Sequence, residues 1–248
     1  MADKNNNNSS WRSLSLHVLV GCTAVSEGCR FCWAALTSWK ISRCPSGKAH
    51  VGLTRFHKLN GPTFTGKILF REERLKELAK IVNMMVWVAP MSDLFHPSVS
   101  LAQLAKIYAA FYRYPRNKYQ ILTKRVERML KLYTDGTLQA AIEKELGHSI
   151  QWPPPNTWEG TSVENQKMAD ARLPILLAVP SNYRFVSFQP LLGPVNLAPY
   201  LETKEIHYAV LGNEAGPLSR PFNPNDVVQL QYQLRQAKVP HLTECFPL

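Results

Sequence analysis

The chain has 248 residues, 45% apolar and 19% charged, with a formal net charge of +11. This is ordinary for a globular chain, and no apolar run approaches the roughly 20 residues needed to cross a bilayer. Five cysteines, three of them close together, do not make a secreted disulfide framework and point to a reducing cytoplasm.

The start, MADKNNNNSS, is polar and lacks the apolar stretch of a secretory signal, so residues 1–14 read as a disordered tail and 15–248 as one domain. Leu16 to Val20 opens a strand over 16–21, and GKILF at 66–70 predicts a second. Arg71 to Asn83 reads as a helix with Leu75, Leu78, Ala79 and Val82 on one face. Met85 to Ala89 is a short buried strand; Ser100 then caps a helix striped by Leu101, Leu104, Ala105, Tyr108 and Phe111. Tyr119 to Thr123 is a strand followed by a helix to about Tyr133. Residues 134–155 hold a polar helical stretch and three consecutive prolines, and read as an insertion. Strand Thr157 to Ser162 precedes a helix broken by Pro174, and strand Arg184 to Phe188 precedes a Pro-rich loop. Ile206 to Gly212 is a strand, Asn223 and Pro224 open a helix bearing Val227, Leu230 and Leu234, and His241 to Cys245 is a last strand. This alternation predicts an α/β fold, a parallel (β/α) barrel that is partial or irregular.

In such barrels functional groups follow the C-terminal ends of strands. Polar residues stand there as Ser92-Asp93, Lys124-Arg125, Ser162 with Glu164-Asn165, Gln189, and Asn213-Glu214. For Ser92, Asp93 and Asn165, turn formation or helix capping is the competing reading. The positive balance suggests a polyanionic partner, nucleic acid first, with Arg113, Arg116, Lys118, Lys124 and Arg125 as backbone contacts in and after a basic and aromatic run. Trp87, Phe95 and Phe111 read as core, and His96 as a hydrogen-bonded loop histidine.

Cys22, Cys29 and Cys32 have the spacing C-x6-C-x2-C at the end of the first strand. Three thiolates from one loop can hold a metal or cluster and leave one position open. The spacing leaves two readings. One is an iron–sulfur cluster; the other is a zinc site completed by Cys44, His50 or His57 in a non-catalytic nucleic-acid-binding protein.

The stretches GCTAVSEGCRFCWA, APMSDLFHPSV, YQILTKRVERM, NTWEGTSVENQKMADARLPILL, RFVSFQPLLGPVNL and GNEAGPLSRPF span residues 21 to 222. Together they resemble the phage and bacterial three-cysteine-motif family related to radical S-adenosylmethionine enzymes. The chain departs from that pattern at Trp11-Arg12-Ser13, Gln189-Pro190, Gly212-Asn213-Glu214-Ala215 and Thr243-Glu244-Cys245-Phe246. The resemblance implies a radical-enzyme barrel with a [4Fe–4S] cluster on Cys22, Cys29 and Cys32, whose open iron takes S-adenosylmethionine. It leaves Ser92, Asp93, Ser162, Glu164, Asn165 and Asn213 to cofactor binding, and Glu214, Gln189 and Lys124 to the reacting substrate. Its phage members imply host cytoplasm and DNA carrying a modified thymidine, with a reductase or flavodoxin-like electron donor. The implied reaction isomerises N-linked to C-linked glycinylthymidine; a radical reaction on tRNA or a free nucleotide is the alternative with the same cofactors.

Overall fold

A computed structural model describes residues 14–215 and 218–244. The predicted tail except Leu14, and Cys245, lie outside the described residues. Seven strands form one sheet and are hydrogen-bonded in chain order: β1 (Leu14–Leu16), β2 (Met85–Val88), β3 (Lys118–Thr123), β4 (Thr157–Ser162), β5 (Arg184–Phe188), β6 (Tyr208–Gly212) and β7 (His241–Glu244). Every neighbouring pair is parallel, which requires a crossover between successive strands. The sheet curls into a half-barrel with helices on its convex side. The helices are α1 (Trp33–Ile41), α2 (Leu101–Arg113), α3 (Val126–Thr134), α4 (Thr137–Leu146), α5 (Gln166–Ala178), α6 (Ala198–Leu201) and α7 (Pro224–Gln236).

Side-chain alternation along the strands separates the two faces. Val86, Ile121, Val186 and Ala209 join Leu104, Tyr108, Leu173 and Leu230 in the main core between sheet and helices. On the concave face the register aligns Leu122, Gly160, Phe185 and Tyr208 in one row. With Trp158, Val210 and Leu242 they fill the floor of the half-barrel. The helix caps agree with the sequence: Ser100 and Gln103 form a reciprocal capping box on α2, and the Asn223 side chain accepts from Asn225 N at α7.

Four elements depart from expectation. The first predicted strand is two: after Leu16 a tight turn (Val18 N to Leu16 O, 3.0 Å) diverts the chain, and Leu19–Val20 pairs antiparallel with Leu69–Phe70 outside the main sheet. Segment 66–70 therefore contributes no barrel strand. The helix predicted over 71–83 is a 3-10 helix, Glu72–Lys80, in which only Leu78 is fully buried and Val82 is exposed. Its anchoring apolar side chains, Leu75 and Leu78, lie three apart, the spacing that eclipses in a 3-10 helix. Finally, α5 runs unbroken through Pro174, because buried Leu173 and Leu176 hold both sides of the proline against the core.

Candidate active site

The cysteine loop begins where Gly21 turns the chain out of Leu19–Val20. Its φ of +107° and a Lys67 carbonyl oxygen 2.1 Å from where a Cβ would stand admit only glycine. Next come Cys22, a 3-10 turn over Glu27–Cys29, and Cys32 as the N-cap of α1. All three thiols are free, partly exposed, and open on one cavity of about 430 Å³. The opposite wall of that cavity is made of strand ends: Ser92 and Asp93 after β2, Lys124 and Arg125 after β3, Ser162 of β4, Gln189 after β5, and Asn213 and Glu214 after β6.

Several of these side chains hold the loop itself. Asp93 is buried and saturated: Oδ1 accepts from Phe95 N (2.9 Å) and Thr123 Oγ1 (2.7 Å), and Oδ2 from Lys124 N (3.2 Å) and Arg125 Nη1 (2.8 Å). Arg125 also donates to Thr23 O (3.0 Å) and Thr23 Oγ1 (2.8 Å), and its Nη1 lies 3.6 Å from Cys22 Sγ. Ser92 Oγ donates to Gly21 O at 2.6 Å. Asn165 caps α5, accepting from Met168 N at 3.1 Å. Asn165 is thus the helix cap of the competing reading and does not line the cavity, whereas Ser92 and Asp93 line the cavity while they tie the loop to the strand ends.

Glu164 does not line the cavity. Fully buried, it accepts from Ser26 Oγ (2.7 Å) and Arg172 Nη1 (2.9 Å), and Lys124 Nζ stands 3.6 Å away. A Cβ on Gly28 would come within 2.4 Å of Glu164 Cγ, so the glycine lets the loop rest on this carboxylate. Glu214 accepts from Arg220 through both oxygens (2.7 and 2.9 Å), and Arg220 also reaches Glu27 O and Oε2. The strand end and the cysteine loop are thereby clasped together. Gln189 lines the cavity and donates to Glu244 Oε2 at 2.9 Å.

Burial pushes the Cys22 thiol up to about 11, with the Asp93 charge adding to it and Arg125 opposing it. Burial also raises Cys32, against the backbone N–H groups of Ala35 and Ala34. His96 is the loop histidine expected: Ser98 N donates to its Nδ1, so Nε2 carries the proton and donates to Thr23 Oγ1 at 3.0 Å. Burial and the Arg125 charge hold its pKa below the ordinary value.

The nucleic-acid candidates are not brought together. Lys118 begins β3 and Thr123 at its far end lines the cavity, so Arg113, Arg116 and Lys118 lie at the opposite end of the sheet, roughly 17 Å along the strand. Arg113 is there bonded to Glu145 O at 3.2 Å. Arg125 belongs to the cavity, but it is buried under the cysteine loop with both terminal nitrogens bonded to Asp93 and Thr23. The alternative zinc ligands are also apart. The exposed Cys44 thiol bonds Lys40 O, His50 Nδ1 is buried against Ser38 Oγ, and His57 is exposed on the hairpin pairing Thr54–His57 with Gly61–Phe64.

Residues missed by the sequence reading complete the wall. Ser187 is buried, lines the cavity, and its hydroxyl has no partner among the described residues. Its position among Phe185, Val186 and Phe188, on the inward face of β5, was the available signal. Trp87, read as core, is a cavity wall against Trp33 (ring centroids 6.1 Å), whereas Phe95 and Phe111 are core. Arg220 carried no local signal.

Fold and site thus define a parallel half-barrel with a three-cysteine cavity at the C-terminal ends of its strands. Residues 6–246 match the family described as "Protein of unknown function (DUF5131)", and the chain belongs to that family. No curated protein matches the sequence. Among solved structures, the chain is similar to spore photoproduct lyase complexed with dinucleoside spore photoproduct: TM-score 0.51, 11% identity, covering 94% of this chain and 76% of that one. A point mutant of the same lyase aligns with TM-score 0.48 and 10% identity over the same shares. Among the described residues, no helix is long and apolar enough to cross a membrane.

Proposed function

We propose that the protein is a radical S-adenosylmethionine enzyme that acts on a modified thymine in DNA, isomerising N-linked to C-linked glycinylthymidine. The observation that carries this reading is the opening of Cys22, Cys29 and Cys32 onto one strand-end cavity of a half-barrel. The donor set favours a cluster over a single ion. Among the described residues no three His, Cys, Asp or Glu side chains are placed to hold one metal ion. A tetrahedral zinc needs its sulfurs about 2.3 Å from one centre. A [4Fe–4S] cluster takes each thiolate on a different iron, so its sulfurs stand farther apart, around a wider common centre.

Bound to the three cysteines, the cluster would supply one electron to S-adenosylmethionine and so generate a 5′-deoxyadenosyl radical. The chain's own residues bind, orient and shield. Arg125 and the N-terminal N–H groups of α1 face Cys22 and Cys32 and favour their thiolates; Glu164, through Ser26 and the space at Gly28, fixes the loop between them. Lys124, Ser162, Asn213 and the unpartnered Ser187 hydroxyl give cofactor and substrate polar groups beside the apolar Trp33, Phe64 and Trp87. Abstraction of the glycine α-hydrogen, migration of the thymine methylene from the glycine nitrogen to its α-carbon, and return of that hydrogen from 5′-deoxyadenosine to the nitrogen balance the step: one C–N bond breaks, one C–C bond forms, and no net electron is taken up. The similar solved structure is of a lyase holding a dinucleoside photoproduct, which supports a nucleoside in this cavity.

The test is anaerobic reconstitution followed by incubation with S-adenosylmethionine, a reductant and glycinylated DNA. The expected results are broad brown absorption, a nucleoside of unchanged mass and altered retention, and 5′-deoxyadenosine in less than one equivalent per nucleoside converted. A colourless protein with one bound zinc would overturn the class. Release of 5′-deoxyadenosine with unchanged nucleoside would overturn the substrate alone. Cys22→Ser should abolish the absorption, and Cys44→Ser should leave it intact.

A further inference from the structure

The positive charge is concentrated in one stretch. From Gly28 to Arg71 there is no Asp or Glu against eight Lys and Arg, while the rest of the chain holds 21 Lys and Arg against 18 Asp and Glu. This stretch contains α1, the 3-10 turn Pro45–His50 and the hairpin Thr54–His57/Gly61–Phe64. Arg30, Lys40, Arg43, Lys48, Arg55 and Lys58 are all exposed, and none has an ion-pair partner among the described residues.

Aromatic and apolar groups stand among these charges. The Arg43 guanidinium lies 3.5 Å over the Trp39 ring, and the Trp39 and Phe56 rings are 5.5 Å apart at 34°. Phe56 is 60% exposed, and Leu59 near the hairpin tip is 80% exposed. The hairpin is also joined to the cavity: Arg30 Nε donates to Asn60 Oδ1 at 3.1 Å, and Phe64 at its inner end is a cavity wall.

We infer that the outer face of α1 and the hairpin 54–64 form a DNA-docking surface. The free cations take backbone phosphates, the Arg43–Trp39–Phe56 ladder stacks a base, and the neighbouring nucleotide enters the cavity past Phe64. This deepens the reading of the cavity as a site for a base in DNA, and rests on it. An unpartnered basic strip displaces condensed counterions from a polyphosphate, and arginine-backed aromatic rings are the platform single bases use. A base to be modified must leave its duplex, so the surface next to the cavity has to grip the strands while it does. The basic run 113–118, at the other end of the sheet, cannot serve that purpose.

The experiment measures binding of the full chain to fluorescent single-stranded and duplex DNA over a salt series. It compares wild type, the exposed double variant Arg55→Glu/Lys58→Glu, Phe56→Ala, and the far-end double variant Arg113→Glu/Lys118→Glu. The hairpin double variant should bind at least about tenfold more weakly and lower the salt slope by about 2. Phe56→Ala should weaken single-stranded binding most, and the far-end variant should match wild type. Equal binding by hairpin variant and wild type, or an equal loss in the far-end variant, overturns the surface. Retention on phosphatidylserine vesicles but not DNA assigns the strip to a membrane and overturns it too. Release of 5′-deoxyadenosine by the reconstituted variants separates the two readings: preserved with wild-type DNA affinity, it leaves the cavity chemistry standing and removes only the docking surface. Wild type that binds no DNA at low salt removes the DNA substrate as well.

Discussion

Arg125 and Asp93 form a buried ion pair, Nη1 to Oδ2 at 2.8 Å, and the same guanidinium reaches Thr23 O, Thr23 Oγ1 and Cys22 Sγ. The pair joins the ends of β2 and β3 to the first cysteine. Its function is therefore to hold Cys22 where the cavity needs it.

Removing the arginine leaves the Asp93 carboxylate buried without its cation, which costs roughly 3–5 kcal/mol. Arg125→Ala is expected to lower the urea midpoint accordingly and to retain less iron after reconstitution. Arg125→Lys keeps the charge but has no planar fork to span Asp93 and Thr23 together, so it should recover stability more than iron content. Urea unfolding and iron analysis on the same preparations check this. Wild-type iron retention in the alanine variant would remove the positioning role.

Gly28 makes a sharper prediction, because its contact is steric. An added Cβ would meet Glu164 Cγ at 2.4 Å and Oε1 at 2.5 Å, and Glu164 is pinned by Ser26 and Arg172. Gly28→Ala should cost about 1–3 kcal/mol and, on the proposed cluster reading, lower the iron retained after reconstitution. Gly193→Ala is the reference: its Cβ would have nothing nearer than Asn165 Cβ at 4.0 Å, and a change within about 0.5 kcal/mol is expected. Thermal unfolding of the two variants side by side decides it.

Much of this site was legible because it is local. The capping box at Ser100 and Gln103, β4, β5 and the polar strand ends all follow from nearby residues. The parallel alternation itself says which end of each strand carries chemistry. It also places Lys118, at the start of β3, at the end of the strand away from the cavity. The clasp of Arg220 to Glu27 joins residues 193 apart, and nothing in either neighbourhood encodes it. The burial of Arg125 was equally hidden, since a Lys-Arg pair after a strand reads as surface until its partner Asp93 is known.

Glu159 offers a test away from the cavity. It sits in β4 on the helix side, accepting from Tyr133 Oη at 2.9 Å and from Ser181 Oγ, and burial raises its pKa above the ordinary 4.5. A raised folded-state pKa contributes stability that is complete below 4.5 and is lost as pH rises through the folded value. Glu159→Gln removes the charge and keeps an acceptor for Tyr133. It should be at least as stable as wild type at pH 7 and lose the decline in stability above pH 4.5. A variant markedly less stable at pH 7, with the pH dependence unchanged, would contradict this assignment.

Cys22 ties stability to pH and, on the proposed cluster reading, loading as well. In the metal-free chain burial holds its thiol up to about 11, against an ordinary value near 9.0. Between these values the unfolded chain loses the proton while the folded chain keeps it, so the unfolded state binds fewer protons and stability falls as pH rises from about 9 to 11. The same shift makes Cys22 slow to alkylate at pH 8, where the exposed Cys44 serves as the internal reference. Iodoacetamide mapping by peptide mass should find Cys44 modified well before Cys22. Arg125→Ala removes a cation that favours the thiolate, and should slow Cys22 further. Loading the thiols must expel the proton, so reconstitution should release protons and proceed faster at pH 9 than at pH 7. Cys22 labelling as fast as Cys44 at pH 8, in a chain shown to be folded, would place the thiol outside the buried pocket that Asp93 and Arg125 define.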